Sequence, residues 1–369
     1  MATATPPKKE ADPWSVVEMI NQSPPVDPSK PYDATTLAGK TILITGGASG
    51  FGAAFARKWA SHGAHLIIGD VNDAAGEALV AELRTTSKPD QVLIYQHCDV
   101  TSWPDQLALF TSARRASPTG SIDGVVAGAG IVERGEPLNA AATNAVFDLP
   151  TNLDSDSAPP PPLGVLAVNL TGVMYTAHLA LYHLPRNKKG ADRHLLLISS
   201  IAGLLPLPGQ TEYTASKHAV MGLFRALRGT AWTKKVRVNV LAPYFVDTPL
   251  LPKGGLALLA GAPKAELEDV VDAATRTMAD EEVRGRALVV GPKMRVLDGE
   301  NGSVRTMEGE WRREGERKQA VWDVYGDDYE RVEAFMWRYL SVLGVMTSVR
   351  GWIGFVVDVF GLCFGRRNR

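Results

Sequence analysis

The clearest chemical potential in this chain lies in a tyrosine and a lysine within the run Glu-Tyr-Thr-Ala-Ser-Lys at positions 212–217. On a helix, Tyr213 and Lys217 lie one turn apart on the same face. The ammonium then stabilises the phenolate, so the phenol can exchange a proton near neutral pH. Such a pair can protonate a carbonyl oxygen. The same spacing is also common on solvated helices, so its meaning depends on the rest of the chain.

A glycine-rich turn near residue 50 is the second chemical feature. The run Thr-Gly-Gly-Ala-Ser-Gly-Phe-Gly at positions 45–52 follows an apolar run and enters a helical pattern. Glycines let the backbone approach a pyrophosphate, and the helix N-terminus supplies unpaired N–H groups. The predicted cofactor contacts in this turn are Thr45, Gly46, Ser49, Gly50, Phe51 and Gly52.

An acidic residue, Asp70, closes the next apolar run, Leu-Ile-Ile-Gly-Asp. A carboxylate at this point can accept both adenosine ribose hydroxyls and repel a 2′-phosphate. No arginine or lysine flanks Asp70, so the sequence favours NAD over NADP as the cofactor. The alternative is that Asp70 only caps the following helix.

These side chains require a sheet and helices to bring them together. Short β-type runs alternate with longer amphipathic segments between residues 41 and 291, which predicts an α/β fold with three layers: a doubly wound, Rossmann-like parallel sheet of about seven strands. The predicted strands are Thr41–Thr45, His65–Asp70, Val92–Cys98, Ile122–Gly128, His194–Ser200, Val236–Pro243 and Ala287–Gly291. The main predicted helices are Gly52–His62, Asn72–Thr86, Gly164–Leu184 and Tyr213–Thr230.

Composition divides the chain into three parts. Residues 1–39 are rich in proline and charge and predict an arm outside the core; residues 40–292 form the nucleotide-binding and catalytic domain, and residues 293–369 a C-terminal extension. Within the domain, residues 133–163 contain four consecutive prolines and predict an exposed insertion. Residues 249–282, rich in Leu and Ala, form either a mobile substrate lid or an ordinary surface helical hairpin.

Charge and cysteine content narrow the class of protein. The net charge of −1 provides no basic field for nucleic acid. The two cysteines, Cys98 and Cys363, cannot form a disulfide framework, and no histidine spacing predicts a metal site. The N-terminal region lacks the apolar stretch of a secretory signal. We therefore expect a cytoplasmic protein without a metal.

The region from Phe335 to Phe364 is rich in Trp, Phe, Leu and Val, but Arg338, Arg350 and Asp358 interrupt it. No uninterrupted run reaches the roughly 18 apolar residues that suggest a spanning helix. Three alternatives remain: the region packs on the domain, covers a subunit interface, or lies on a membrane surface as a peripheral contact.

These motifs, in this order, resemble the classical branch of the short-chain dehydrogenase/reductase family over roughly residues 40–291. The resemblance implies that Tyr213 and Lys217 are the catalytic tyrosine and lysine and also contact the cofactor, with Ser200 and Asn169 as the catalytic serine and asparagine. It implies further cofactor contacts from Asp99, Val100, Ala127, Val246 and Thr248. It also implies a homodimer or homotetramer through the helices after Gly164 and Tyr213.

Two departures from the family pattern stand out. The usual Asn-Asn-Ala-Gly after the fourth strand is Ala-Gly-Ala-Gly at positions 127–130, which removes amide side chains that tie neighbouring strands. We expect this change to affect stability more than activity. The glycine that usually follows Pro243 is Tyr244, which places a large ring near the nicotinamide pocket.

The expected function is an NAD(P)-dependent oxidoreductase that interconverts a secondary alcohol and a ketone, with Tyr213 as general acid and base. The Leu- and Ala-rich segment predicts an apolar substrate, such as a lipid, steroid-like or polyketide alcohol. Two alternatives remain: a catalytically silent NAD-binding scaffold or sensor, and a dehydratase or epimerase on the same fold.

Overall fold

Nine strands form one sheet in the part of the chain that the structure, a computed structural model, describes. The described residues are 16–133, 156–158, 160–188, 190–251, 261–299, 303–307, 315–325, 337–346, 348–349 and 352. The strands are β1 Thr41–Thr45, β2 His65–Asp70, β3 Leu93–His97, β4 Gly124–Ala127, β5 His194–Ile198, β6 Arg237–Pro243, β7 Ala287–Asp298, β8 Val304–Thr306 and β9 Arg317–Val324. Their order is β3-β2-β1-β4-β5-β6-β7-β8, and β9 also pairs with β7.

Helices cover both faces of this sheet. They are α1 Val16–Met19, α2 Gly50–Ser61, α3 Asp73–Arg84, α4 Trp103–Ala116, α5 Gly164–Leu166, α6 Val173–His183, α7 Thr211–Arg228 and α8 Leu267–Ala279, and a π-helical segment, Ala167–Gly172, joins α5 to α6. Residues 337–346 are also helical. The continuous helix Gly164–Arg186 is apolar enough to span a membrane by composition, but its residues Val173, Ala177 and Ala180 are buried in the core.

The central strands are apolar throughout because both of their faces are buried. In β1, Ile42 and Ile44 enter the core beneath α2, α3 and α8, whereas Leu43 enters the core beneath α4, α6 and α7. Alternate residues of a strand point to opposite faces, so a run of apolar residues serves two helical layers. The three-layer, doubly wound prediction is confirmed.

The strand order reverses at β1, which pairs in parallel with β2 on one side and with β4 on the other. In open parallel sheets the crevice outside the carboxyl ends at such a switch point binds ligands. The glycine-rich turn follows β1, and the other residues predicted to contact the cofactor lie at or just after the carboxyl ends of β2, β3, β4 and β6, or on α7. The topology therefore collects them at one edge.

The seven predicted strands are all present, with ends shifted by no more than two residues except for β7. The predicted domain boundary at residue 292 is wrong, because β7 continues to Asp298 and the antiparallel strands β8 and β9 pair with it. Arg286 and Asp323 clamp β9 to the start of β7 with an ion pair of 2.6 Å. The added strands cover an edge that would otherwise present unpaired backbone groups.

The predicted lid over residues 249–282 contains a core helix. In α8, Val270, Ala273, Ala274 and Met278 are fully buried, and Trp59 of α2 donates a hydrogen bond of 3.0 Å to Thr275. This part is therefore neither a mobile lid nor a surface hairpin. Residues 252–260 of the predicted lid lie outside the described residues, as do residues 134–155 and 159 of the predicted insertion.

The predicted arm, residues 1–39, is not wholly outside the core. Leu37 is fully buried, and Arg276 donates to the carbonyl oxygen of Lys30 at 2.8 Å. Val16 and Ile20 pack with Leu340 of the helix at 337–346. These contacts dock one side of the C-terminal helix on the domain, while residues 1–15 lie outside the described residues.

Candidate active site

The structure brings Ser200, Tyr213 and Lys217 together at the carboxyl edge of the sheet. Ser200 follows β5, and Tyr213 and Lys217 lie on the first turns of α7. The Ser200 hydroxyl lies near enough to the Tyr213 phenol to lower the pKa of that phenol. Lys217 Nζ donates to the carbonyl oxygen of Ile198 at 3.1 Å and lies 5.5 Å from the centroid of the Tyr213 ring. This arrangement can present a phenolic proton and a hydroxyl to one substrate oxygen.

Burial controls the electrostatics of this group. It raises the pKa of Tyr213, against the smaller effect of the Ser200 hydrogen bond, which lowers that pKa. It also lowers the pKa of Lys217 to about 8. The sequence predicted a phenol whose pKa falls because of the lysine, whereas in this structure burial raises the pKa of Tyr213. Tyr213 therefore carries its proton at neutral pH and is poised as an acid.

The two neighbouring serines have different roles. Ser199 Oγ donates to the carbonyl oxygen of Lys217 at 3.0 Å, so this hydroxyl is used inside the protein. Ser200 Oγ accepts from the N–H of Ala202 at 3.2 Å, and the Ser200 hydroxyl also lowers the pKa of the tyrosine. The geometry therefore favours Ser200 as the serine that meets a substrate.

Asn169 lies in the π-helical segment and is fully buried. Its Oδ1 accepts from the N–H of Ile131 and its Nδ2 donates to the carbonyl oxygen of Ile131, both at 2.8 Å. Nδ2 also donates to Ser216 Oγ at 3.2 Å. The amide thus ties the loop after β4 to α7, and the catalytic role that the resemblance implies for Asn169 stays a prediction.

The glycine-rich turn excludes side chains where the backbone must be close. Gly46 has φ of +69°, and a Cβ there would lie 2.5 Å from the Cα of Ala129. A Cβ on Gly52 would lie 2.3 Å from the carbonyl oxygen of Gly46. Ser49, the N-cap residue of α2, makes no capping hydrogen bond. The first N–H groups of α2 are therefore available to a phosphate, which fits a dinucleotide.

Asp70 is held beside this turn by two backbone donors. Its Oδ2 accepts from the N–H of Ala48 and its Oδ1 from the N–H of Asn72, both at 3.0 Å. The cap of the following helix α3 is Asn72, whose side chain accepts from the N–H of Ala75. The alternative that Asp70 serves only as this cap is therefore wrong, and its carboxylate lies where a cofactor ribose is expected.

The altered Ala-Gly-Ala-Gly segment is tied to its neighbour by another route. The hydroxyl of Thr45 donates to the carbonyl oxygen of Val126 and accepts from the N–H of Gly128, both at 3.2 Å. Thr45 is 1% exposed, so it supports the cofactor edge by joining β1 to β4. Ala127 is likewise buried at the end of β4.

The remaining predicted cofactor residues follow β3 and β6. Asp99 Oδ1 accepts from the N–H and hydroxyl of Thr101, each at 2.8 Å, and Val100 is buried. Val246 is also buried, and Cβ of Thr248 is 3.8 Å from the position of a Cβ on Gly50. The loop after β6 therefore reaches the glycine-rich turn.

The ring of Tyr244 packs edge-on against Phe245, with centroids 4.9 Å apart, and borders the apolar core beneath β6. Part of its surface is thus used in packing. The predicted position of this ring near the nicotinamide pocket stays a prediction.

Two buried glutamates beside the tyrosine escaped the sequence reasoning. Glu212 accepts from the N–H of Leu166 at 2.8 Å, and Glu133 accepts from the N–H of Glu212 at 3.0 Å. The adjacency of Glu212 to Tyr213 was a signal for the first, whereas no local pattern marks Glu133. Around them, Val165, Ala202 and Tyr213 form an apolar cluster with Val132 and Leu207.

The short chain dehydrogenase family model matches residues 40–255. The chain belongs to this family. Among its relatives, a 5'-hydroxyaverantin dehydrogenase from Dothistroma septosporum is 38% identical over 273 residues, which cover 71% of this chain and 87% of the relative. An NADP-dependent dehydrogenase from a Phoma species is 34% identical over 271 residues, covering 69% of this chain and 76% of the relative.

Solved structures agree on the fold. The 3-ketoacyl-(acyl-carrier-protein) reductase from Brucella melitensis, complexed with NADH, aligns with a TM-score of 0.56 and 25% identity over 69% of this chain and 97% of that chain. This short-chain dehydrogenase is therefore an oxidoreductase that acts on the CH–OH group of small molecules, with NAD or NADP as cofactor.

Proposed function

We propose that this short-chain dehydrogenase prefers NAD and interconverts a secondary alcohol and a ketone, with Tyr213 as the general acid and base. The observation that carries the proposal is that the Ser200 hydroxyl acts on the buried Tyr213 phenol, whose pKa it lowers, while the buried ammonium of Lys217 donates to the carbonyl oxygen of Ile198 close by. One hydroxyl orients the substrate oxygen while the other exchanges its proton.

The nicotinamide, when bound, supplies or accepts the hydride at the carbinol carbon. In reduction, the Tyr213 phenol gives its proton to the substrate oxygen as the carbonyl becomes an alcohol. The Ser200 hydroxyl donates a hydrogen bond to the same oxygen and orients it. Protonated Lys217 stabilises the tyrosinate that remains. Oxidation runs through the same groups in reverse, so the tyrosinate accepts the alcohol proton.

The preference for NAD rests on Asp70. Both of its oxygens face backbone donors at 3.0 Å, which holds the carboxylate at the end of β2, where a 2′-phosphate would meet negative charge. A relative is named NADP-dependent, so the preference needs a direct test. The ratio of kcat/KM with NAD to kcat/KM with NADP should fall at least tenfold in Asp70→Ser. Asp73→Asn, which changes an exposed carboxylate three residues away, serves as the control. An unchanged ratio in Asp70→Ser refutes the preference mechanism.

The substrate we propose is an apolar, hydroxylated polyketide alcohol or the matching ketone. The wall beside Tyr213 is apolar, with Val165 and Ala202 buried and Leu207 half-buried. The 38% identical relative is a 5'-hydroxyaverantin dehydrogenase, which makes compounds of that class the first to assay.

The test of the reaction compares wild type with Tyr213→Phe. We expect wild type to convert a panel of polyketide, steroid-like and aliphatic secondary alcohols with a change in nicotinamide absorbance. Tyr213→Phe should lose at least 100-fold in kcat and still bind NADH. Tyr182→Phe, on an exposed tyrosine of α6, is the matched control. Binding of NADH without turnover of any substrate by wild type favours the silent scaffold instead.

We also propose that two copies associate through the outer helical layer. Met174 and Tyr182 of α6 are each 50% exposed, and Trp103 of α4 stands against Tyr175 with ring centroids 5.3 Å apart. Large exposed apolar side chains on adjacent helices are typical of an interface. Light scattering of wild type and Met174→Glu tests this: wild type should be a dimer or tetramer, and the variant should dissociate.

For the helix at 337–346 we propose a peripheral membrane contact of a cytoplasmic protein. Leu340 is buried on the domain, but Val342, Val345 and Met346 are more than half exposed. An apolar outer face near Arg338 suits a lipid surface. Wild type should sediment with anionic vesicles, and a double variant with glutamate at 342 and 345 should not. Equal sedimentation of both proteins refutes the proposal.

A further inference from the structure

The catalytic helix α7 begins without a capping side chain of its own. Its N-cap residue is Gln210, whose side chain makes no capping hydrogen bond. Within the described residues, Gln210 Oε1 is buried without a hydrogen-bond partner. The first N–H groups of a helix need acceptors from outside the helix, which Ser, Thr, Asp or Asn at the N-cap usually supply. The N-terminus of α7 therefore depends on a group from elsewhere.

That group is the carboxylate of Glu133, which lies 79 residues before Glu212 in the chain. Glu133 Oε1 accepts from the N–H of Glu212 at 3.0 Å, and the N–H of Tyr213 also stabilises this carboxylate. Glu133 is only 5% exposed. A negative charge at a helix N-terminus is further stabilised by the helix dipole. The carboxylate thus holds the backbone at the catalytic tyrosine itself.

The hydrogen bond between Glu133 and Glu212 is part of a network of buried hydrogen bonds around the site. Glu212 accepts from the N–H of Leu166 at the end of α5. Asn169, on the continuation of that helix, holds both backbone groups of Ile131, two residues before Glu133. Three segments are therefore joined in a ring: the loop after β4, the N-terminus of α7 and the helix that carries Asn169. A shift in one segment moves the others.

Stability alone does not account for a carboxylate at this point. Glu133 Oε2 is buried and has no hydrogen-bond partner in the described part of the chain. Burial raises the pKa of Glu133, and the neighbouring Glu212 carboxylate adds to that effect. A buried polar atom without a partner costs free energy. The unpaired Glu133 Oε2 therefore lowers the stability of the fold next to the residue, Tyr213, whose position matters for the reaction.

We propose that Glu133 is a positioning residue for the reaction at Tyr213, acting as the helix cap of α7 through its Oε1 acceptor. The inference rests on the proposed function. It predicts that an acceptor at position 133 is needed for the rate of the proton-transfer step, whereas cofactor binding at the glycine-rich turn does not depend on it.

The test uses the full chain with three substitutions. Glu133→Ala removes the acceptor, and Glu133→Gln keeps a carbonyl oxygen that can accept from Glu212 N–H. Asp33→Ala is the matched control, because Asp33 is also a carboxylate that caps a helical turn, accepting from the N–H of Thr35 at 2.9 Å. The measurements are kcat per NADH-binding site, KM for the cofactor, and hydrogen exchange of the Glu212 and Tyr213 amides.

We expect Glu133→Ala to lose at least tenfold in kcat, with the cofactor KM changed less than twofold and with faster exchange at both amides. Glu133→Gln should retain kcat within threefold of wild type, and Asp33→Ala should retain it fully. Wild-type kcat per site in Glu133→Ala overturns the inference, as does an equal loss in Glu133→Gln. If wild type turns over no alcohol or ketone, the proposed function fails, and the capping role is then tested by hydrogen exchange alone. Unchanged exchange of the Glu212 and Tyr213 amides in Glu133→Ala overturns the capping role.

Discussion

Replacing Lys217 with methionine should make the protein more stable and nearly inactive. Burial lowers the pKa of Lys217 from its ordinary 10.5 to about 8. At about 1.4 kcal/mol per pKa unit, the protonated lysine costs the folded state about 3 kcal/mol at pH 7. The hydrogen bond to the carbonyl oxygen of Ile198 returns about 1 kcal/mol. Methionine fills a similar volume without charge, so Lys217→Met should gain about 2 kcal/mol in free energy of unfolding.

The sign of the pH dependence follows from linkage. The unfolded chain keeps the lysine proton up to its ordinary pKa of 10.5, but the folded chain releases it near 8. The unfolded state therefore binds more protons between these values, and wild-type stability rises with pH through that window relative to the variant. The advantage of Lys217→Met should be full at pH 7 and close to zero at pH 10.

Urea unfolding of the cofactor-free protein, followed by tryptophan fluorescence at pH 7, 8.5 and 10, measures this difference. Lys58→Met, on the exposed face of α2, is the control and should show no such pH dependence. A Lys217→Met protein that is less stable than wild type at pH 7, with the control unchanged, would falsify the reasoning. Lys217 would thus lower the free energy of unfolding while serving catalysis, as is expected when proteins are selected for function.

Three further predictions follow from the same geometry. In the reduction direction, kcat/KM should decrease above about pH 8, because Lys217, whose pKa is about 8, loses its proton there. The phenol of Tyr213 keeps its proton in this range because burial raises its pKa. A kcat/KM that stays constant from pH 7 to 9.5 contradicts this prediction. Gly46→Ala should abolish NADH binding measured by fluorescence, since the added Cβ would lie 2.5 Å from the Cα of Ala129. Gly120→Ala is the control: Gly120 has a similar positive φ, but a Cβ added there has no neighbour within 4 Å. This variant should bind NADH normally. Asp192→Asn should cost about 3 kcal/mol or more in urea unfolding at pH 7, because Asp192 is the buried partner of Arg237 at 2.7 Å. Despite the desolvation of Asp192, the Arg237 and Lys40 charges lower its pKa, so this contribution should be full above pH 4 and should decrease as pH falls from 4 toward the folded-state pKa. A loss at pH 2 as large as that at pH 7 refutes the assignment.

Much of the fold was predictable because its signals are local. Continuous apolar runs such as that of β1 mark strands buried on both faces, and the glycine turn before α2 marks a phosphate site. The C-terminal end of β7 was not predictable in this way. In its second half, residues 293–298, Val296 alone is buried and the other residues are half-buried or exposed. This half is a strand because β8 and β9 pair with it, and no local sequence pattern predicts that pairing.

For the candidate lid, the sequence alone could not decide between two structures. Leu- and Ala-rich sequence over residues 249–282 is compatible with a cap or with a core helix, since both need an apolar face. Only the contact between Trp59 and Thr275 and the burial of Val270 place α8 in the helical layer that packs on the sheet.

The sequence by itself determined which groups form the candidate site and their order along the chain. These groups are the glycine-rich turn, Asp70, Ser200, and the Tyr213–Lys217 pair on one helix face. These features depend on residue type and spacing, which the backbone period converts directly into position. The tertiary structure alone decided the protonation of that pair, because desolvation is a property of everything packed around it: burial raises the pKa of Tyr213 and lowers that of Lys217. It alone also brought Glu133 to the start of α7, across a distance in the chain that no periodic pattern spans.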